Sequence, residues 1–395
     1  MENKLKETLP EWVRKIDGIE YIWSIGVQGE YIVIGSDIGI HVFSTKGDKL
    51  WEYKTNKFTF CCIIDKHIMA GSMDCHVYCF DIEGNMKWKY KVDEEIRSID
   101  AWNKRVAVCD LRSIYLFDIN GCLMWKRNTN EFHKEKVAFL SVNINDGYIT
   151  AGSCTEWNGF LYLFDLNGNL KWKYDVMPEN GGEGHVTSVC ISNGYICAGS
   201  SNHYVYLFDT NGNLKWKYET VSEVEFVQIY KGYIGTSDGW GTCLLDIYGN
   251  LKWVYNVPIS SGYHHICSEY VAICSSSGDR VGEICLFDVD GNLKIKYKAM
   301  REKPGKQWTI NMDEEGKTEI IQRFECPIPF VHMSDRYLVA GGRGYIYLFN
   351  LKEVDNMYDL GRLVVKHTEY GPKGHLEIYP YYLIQLTCCK LRLIT

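Results

Sequence analysis

Two groups of residues have side-chain types that can bind metal ions. His264 and His265 are adjacent, and His185 could supply a third imidazole. Adjacent residues of a strand point to opposite sides of the sheet, so the two neighbours could not share one ion. Asp288 and Asp290 have the alternate spacing of calcium-loop carboxylates, but the helices, later ligands and terminal Glu of such a loop are missing. We therefore expect no metal site and interpret the Asp pair as part of a turn.

Cys61 and Cys62 are the residues that come closest to a reactive thiol pair. They lie in the apolar run 58–63, which is typical of a strand, where alternate side chains diverge. The chain has 16 cysteines without a CxxC pair, and we expect most of them to be free and buried. The sequence has neither a Ser-His-Asp arrangement nor a Gly-rich phosphate loop. It therefore predicts no catalytic residues.

Aromatic, imidazole and guanidinium side chains in loops of variable length are the candidates for contact with a protein partner. Trp, Tyr and Arg are enriched at binding hot spots, and loops held by a rigid scaffold often carry function. The variable loops cover residues 127–136, 153–159, 176–185, 256–265, 276–283 and 299–328. The candidate partner-binding residues are Trp157, His185, His203, Tyr263, His264, His265, Arg280, Trp308 and Arg343.

A tandem repeat must position these loops. A block ending in Trp-Lys-Tyr, or a close variant, recurs at spacings of 37, 37, 47, 44, 37 and 42 residues, and Ile295 takes the Trp position in the seventh copy. One copy predicts four short strands at 186–191, 195–199, 204–208 and 213–219, because its apolar residues follow strand patterns and show no 3.6-residue stripe. An Asp-x-x-Gly turn joins the third and fourth strands. Four antiparallel strands for each repeat predict one blade of a β-propeller.

The predicted fold is an all-β propeller with four-stranded antiparallel blades in a single domain covering 1–395. The unit of three inner strands occurs eight times, which favours eight blades over the alternative of seven. Residues 10–17 are expected to supply the outer strand that closes the ring, and the segment 361–367 competes for that place. Residues 299–328 are interpreted as an insertion, and 354–395 as a C-terminal extension.

The copies resemble the PQQ-like propeller repeat of quinoprotein dehydrogenases and of outer-membrane assembly lipoproteins. The resemblance covers roughly residues 20–350 and rests on the Asp, Gly and Trp of each copy, although Phe precedes the Asp and Asn or Glu replaces the Thr of the family pattern. It implies a propeller, and also a quinone in the central channel beneath a vicinal disulfide, for which Cys61 and Cys62 would be the pair. The predicted strand around these cysteines, and the lack of a calcium-ligand set, lead us to expect no cofactor.

Composition and charge narrow the range of partners. The net charge of −7 provides no positive field for a nucleic-acid backbone, so no nucleic-acid partner is expected. The sequence has neither an exported-type N-terminus nor an apolar run that could span a membrane, which predicts a cytoplasmic protein without membrane insertion. We also expect the chain to be a monomer. The leading hypothesis is a non-catalytic scaffold that presents its loop-rich face to a protein or peptide. The alternative is a quinone-binding or other enzyme that uses the central channel.

Overall fold

Eight four-stranded antiparallel sheets form a ring in the computed structural model, which describes residues 10–55, 57–178, 183–256, 263–277, 280–299, 308–312, 318–322, 330–342 and 344–352. The prediction of an eight-bladed propeller is confirmed. The strands of blades 1 to 4 are β2 (Ile22–Gln28), β3 (Tyr31–Ser36), β4 (Gly39–Ser44), β5 (Lys49–Lys54), β6 (Thr59–Ile64), β7 (His67–Ser72), β8 (His76–Asp81), β9 (Met86–Lys91), β10 (Ile96–Trp102), β11 (Arg105–Asp110), β12 (Ser113–Asp118), β13 (Leu123–Asn128), β14 (Ala138–Asn145), β15 (Tyr148–Cys154), β16 (Gly159–Asp165) and β17 (Leu170–Val176).

Blades 5 to 8 repeat the same order from the channel outwards, except that the outer strand of blade 8 comes from the N-terminus. Their strands are β18 (Val186–Ser192), β19 (Tyr195–Ser200), β20 (Tyr204–Asp209), β21 (Leu214–Glu219), β22 (Val224–Tyr230), β23 (Tyr233–Asp238), β24 (Gly241–Asp246), β25 (Leu251–Asn256), β26 (Tyr263–Cys267), β27 (Tyr270–Ser277), β28 (Arg280–Asp288), β29 (Leu293–Ala299), β32 (Phe330–Met333), β33 (Tyr337–Gly342), β34 (Tyr345–Asn350) and β1 (Trp12–Lys15). Within the segment interpreted as an insertion, β30 (Trp308–Met312) and β31 (Thr318–Gln322) form a separate two-stranded sheet.

The burial of each strand follows from its place in the blade. The third strand β20 is apolar on both faces, and Val205, Leu207 and Phe208 are fully buried. The outer strand β21 alternates half-buried Trp216 with exposed lysines, so only one of its faces is covered. The facing surfaces of neighbouring blades form eight hydrophobic clusters. Because each fully buried aliphatic or aromatic side chain contributes about 1.5–3 kcal/mol, these clusters are the main force that holds the ring together.

A tryptophan joint connects consecutive blades at their outer strands. The indole Nε1 of Trp51 donates to the carbonyl oxygen of Ile82, 2.9 Å away, in the hairpin of the next blade. Its ring covers Gly84, where an added Cβ would lie 2.9 Å from the indole, so only glycine allows this approach. The same hydrogen bond, of 2.9–3.2 Å, is made by Trp12, Trp51, Trp88, Trp125, Trp172, Trp216 and Trp253.

The N-terminus completes blade 8. Trp12 to Lys15 pair antiparallel with Leu348 to Tyr345 of β34, and Trp12 makes the joint to blade 1 through the Thr45 carbonyl. Blade 8 has no hairpin between β34 and β1, because the two strands come from opposite ends of the described chain. It therefore offers no glycine turn to blade 7, and Ile295 stands at the Trp position and packs in the cluster that contains Phe349. The competing segment 361–367 and the extension 354–395 lie outside the described residues.

The described ranges contain no helix with both the length and the apolar character needed to cross a membrane.

Candidate functional site

The propeller has two unlike faces. On one face, the turn between the third and fourth strands keeps the same form: in blade 5, Asp209 Oδ1 accepts from the backbone nitrogen of Asn213 at 2.9 Å, while its Oδ2 accepts from the side-chain nitrogen of Asn213 at 2.9 Å. The opposite face, which we call the loop face, carries the connections between blades and between second and third strands. These connections differ in length and sequence, so the loop face is where this chain can be specific.

Segments of blades 4, 5 and 6 form a continuous band on the loop face, which we call the strip. The strip consists of residues 154–158, 175–178, 183–185, 201–203, 219–225 and 238–241. Gly184 donates to the Trp157 carbonyl at 2.7 Å, and the Asn202 side chain donates to the Met177 carbonyl at 2.8 Å. These bonds connect the two loops of blade 4 with the turn of blade 5.

Further bonds extend the strip into blade 6. Thr220 donates its backbone N–H to the His203 carbonyl at 2.8 Å. Asp238 Oδ2 accepts from the backbone nitrogen of Val221 at 3.1 Å, and its Oδ1 accepts from that of Trp240 at 2.8 Å. The backbone of the strip is therefore held by hydrogen bonds, and its outward side chains stand on a fixed frame.

Several outward side chains of the strip are large and apolar. Trp157 is 61% exposed, Met177 52%, Trp240 50% and Val221 39%. A single exposed apolar residue is ordinary, but several on contiguous segments that include two Trp side chains are typical of a binding surface.

Three of the nine candidate partner-binding residues belong to the strip: Trp157, His185 and His203. His185 is half-buried, with Nδ1 3.0 Å from Glu183 Oε2, and its backbone nitrogen donates to Ser201 Oγ at 3.1 Å. His203 has a left-handed backbone with φ of 69° in the turn after β19. Three candidates from different loops are thus brought onto one surface.

Three other candidates lie on β26, the innermost strand of blade 7. His264 is 1% exposed and its Nδ1 is 2.7 Å from Ser237 Oγ; burial lowers its pKa to about 3. It is a core residue at the junction of blades 6 and 7, so a partner at the surface cannot contact it. Tyr263 is half-buried, with ring centroids 5.5 Å from Phe226 and 4.7 Å from Phe330.

His265 belongs to a ring of side chains around the channel. The inner strand of each blade is a sheet edge, whose N–H groups need a partner beyond the blade. At the same position of six blades, a polar side chain accepts such an N–H from the next blade over 2.7–3.3 Å. These side chains are Asp100, Asn143, Cys190, Gln228, His265 and His332.

Two acid–base features of this ring follow from its enclosure. Burial raises the pKa of Asp100 to about 6, although its carboxylate accepts hydrogen bonds from Asn143 and Ile144. Burial lowers the pKa of His265 and that of His332, and their ring centroids are 4.1 Å apart. Both imidazoles are therefore neutral at pH 7, and the ring serves to connect the inner strands.

The cysteine pair does not fit the quinone site that the family resemblance implied. Cys61 is buried in the cluster with Val33 and Ile68, whereas Cys62 packs against the separate cluster that contains Val108. Both thiols are free, and joining them would require β6 to break. Among the described residues, no three His, Cys, Asp or Glu side chains are grouped as metal ligands.

The remaining three candidates do not belong to the strip. Arg280 is the first residue of β28 and Trp308 is the first residue of β30, whereas Arg343 lies outside the described residues. The exposed Trp240 is not among the nine candidate residues. The signal was present in the sequence, since Trp240 lies outside the register of the repeat tryptophans.

Comparisons with known proteins support the fold alone. No family model matches the chain, and no curated protein matches it. Among solved structures, the computationally designed Ika8 protein has a TM-score of 0.65 at 15% identity, covering 85% of this chain and 98% of its own. BamB from Moraxella catarrhalis has a TM-score of 0.60 at 14% identity, with 87% and 97% covered. Saccharomyces cerevisiae Sqt1 has a TM-score of 0.63 at 10% identity, with 85% and 97% covered.

Proposed function

We propose that this propeller is a non-catalytic interaction scaffold that binds a protein or peptide on its loop face. The observation that carries the proposal is the strip, where Trp157, Met177, Val221 and Trp240 are all exposed on a backbone held by hydrogen bonds. A rigid frame limits the conformational entropy that binding must overcome, and exposed Trp side chains supply contact area at little rotamer cost.

Substitutions on two parts of the surface would test the proposal. The variant Trp157→Ser/Trp240→Ser changes the loop face, and Leu50→Ser/Leu214→Ser changes side chains of similar exposure on the outer strands. Each purified full chain would be used for affinity capture, and the recovered partner would be produced and titrated against all three proteins. We expect the Trp variant alone to lose affinity, by more than about tenfold. Equal affinity for the three proteins would refute a role for this face.

We further propose that the repeats are of the PQQ-like class and that the chain is a cytoplasmic monomer. The Asp, Gly and Trp that carry the family resemblance are the residues of the hairpins and joints that connect blades, as in Asp81, Gly84 and Trp51. The thirteen described cysteines are free, as expected of a protein in a reducing compartment. Sedimentation of the purified chain would test whether it is a monomer, and fractionation of the cells that produce it would test its location.

A further inference from the structure

We propose that the strip binds a basic segment of its partner: a short run of chain with Lys or Arg side chains beside an apolar anchor. This inference rests on the proposed function and specifies the chemistry of the partner. It follows from the charges of the strip, from their arrangement and from the tryptophans that accompany them.

The strip carries one sign of charge. Its six segments contain seven Asp or Glu residues and no Lys or Arg. Lysines are abundant elsewhere, and the outer strands of three blades have the sequence Lys-Trp-Lys. The acidity of the strip therefore does not simply follow from the net charge of −7 over 395 residues. Clustered charge of one sign steers an oppositely charged partner towards a surface.

Two of these acidic residues, Asp238 and Glu223, are close enough to a third, Glu225, for their charges to act on it. The carboxylate of Asp238 accepts hydrogen bonds from backbone N–H groups, and the residue as a whole is 6% exposed. Glu225 is half-buried, and burial together with the charges of Asp238 and Glu223 raises its pKa. Neither Glu223 nor Glu225 forms an ion pair with another described residue. A cation placed between them would relieve this repulsion, which a neutral or acidic ligand could not do.

The tryptophans complete the match to Lys and Arg. Both side chains have long apolar stems that can lie on an indole face while the charged head reaches a carboxylate. Trp157 adjoins the exposed Glu156, so this end of the strip combines an exposed ring with an acidic residue, and Trp240 lies in the turn that begins at Asp238. Phosphate-bearing surfaces, including nucleic acids and anionic lipids, would be repelled by the same charges.

A random peptide library of roughly a dozen residues, displayed on phage, would test the charge preference without a known partner. It would be selected on the immobilised full chain, and the most enriched peptide would be synthesised with a fluorescent label for anisotropy titration. The test variant is Glu156→Gln/Glu183→Gln/Glu223→Gln/Glu225→Gln. The matched control changes four acidic residues of the opposite face: Glu30→Gln/Glu83→Gln/Glu269→Gln/Asp290→Asn.

We expect selected peptides to be enriched in Lys or Arg and in aromatic or aliphatic residues relative to the input library. The test variant should raise the Kd of the labelled peptide about tenfold, and the control variant should leave it within about twofold. Raising the ionic strength from about 0.01 M to about 0.15 M should weaken binding, since the Debye length falls from about 30 Å to about 8 Å.

The failures of the two proposals are distinguishable. Neutral or acidic peptides that bind the chain but not Trp157→Ser/Trp240→Ser would refute the proposal of a basic partner segment. The proposal that the loop face binds a partner would still hold. A library that yields no peptide, or a peptide whose Kd is the same for the chain and the Gln variant, would also refute the basic partner segment. The titrations of the recovered partner described above test separately whether the loop face binds a partner.

Discussion

Removing residues 1–16 should destabilise the ring, because these residues contain the strand that completes blade 8. The deletion removes the four paired residues of β1, the backbone bonds of Glu11 and Ile16 to blade 8, and the joint of Trp12 to the Thr45 carbonyl. The lost hydrogen bonds, at about 1 kcal/mol each, and the loss of the half-buried Trp12 lower the free energy of unfolding by about 5 kcal/mol. The loss of the buried Ile16 adds about 1.5–3 kcal/mol. Together these losses are a large part of the roughly 5–15 kcal/mol of a typical domain.

Thermal unfolding followed by circular dichroism would measure the effect, with size-exclusion chromatography for aggregation through the exposed edge of β34. We expect the melting temperature to fall by roughly 10 °C. A chain ending at Lys352 is the comparison, and it should be affected less, since β1 already pairs with β34. A synthetic peptide of residues 10–17 should restore part of the lost stability. If truncation after Lys352 were the more damaging change, the competing strand at 361–367 would close the ring and our reasoning would be refuted.

Three further predictions concern packing, pH and thiol reactivity. Gly121→Ala should lower the free energy of unfolding, measured by urea denaturation, by about 2–3 kcal/mol, because the new Cβ would lie 2.6 Å from the indole of the preceding blade. Gly147 has a similar φ of 83° but open space around it, so Gly147→Ala should cost only about 1 kcal/mol. Burial raises the pKa of Asp100 from 3.8 to about 6, so the fold loses stability as pH rises from about 4 through about 6 and this carboxyl ionises. Asp100→Asn should therefore stabilise the chain by at most about 3 kcal/mol at pH 8 and by about half as much at pH 5, with the exposed Glu269→Gln as the control. Among the described thiols, Cys122 is the exposed one, so Cys122→Ser should remove one rapidly alkylated site in mass spectrometry of the native chain, and a count unchanged by the substitution would contradict this.

Local patterns were sufficient to predict the blades. The strands expected at 186–191, 195–199, 204–208 and 213–219 agree with β18 to β21 to within one residue at every end. The prediction succeeded because the position of a strand in the blade decides whether one or both of its faces are buried. A strand buried on both faces is continuously apolar, and one buried on a single face alternates apolar and polar residues. The repeated Trp and Gly fixed the alignment of the copies, since each pair makes one joint between blades.

The surface could be predicted only in part, because side-chain exposure depends on contacts between distant segments. His264 was chosen for its place beside a variable loop, yet the strand begins at Tyr263 and turns His264 towards Ser237 in the core. Nothing in the local sequence brings Met177 beside the turn of blade 5, where the Asn202 side chain binds its carbonyl. Such neighbours are set by the ring, not by the repeat.

The place of Ile295 shows how this chain could be rearranged. Seven tryptophans and seven receiving hairpins match one another, and blade 8 breaks the series only because no covalent turn connects β34 to β1. A circular permutant that joins residue 350 to residue 12 through an Asp-x-x-Gly turn, and opens the chain between two other blades, would supply the missing receiver. Ile295→Trp would then have a partner that it lacks in the natural order. In this architecture the position of the chain ends can change, whereas the tryptophan joints between blades have to be kept.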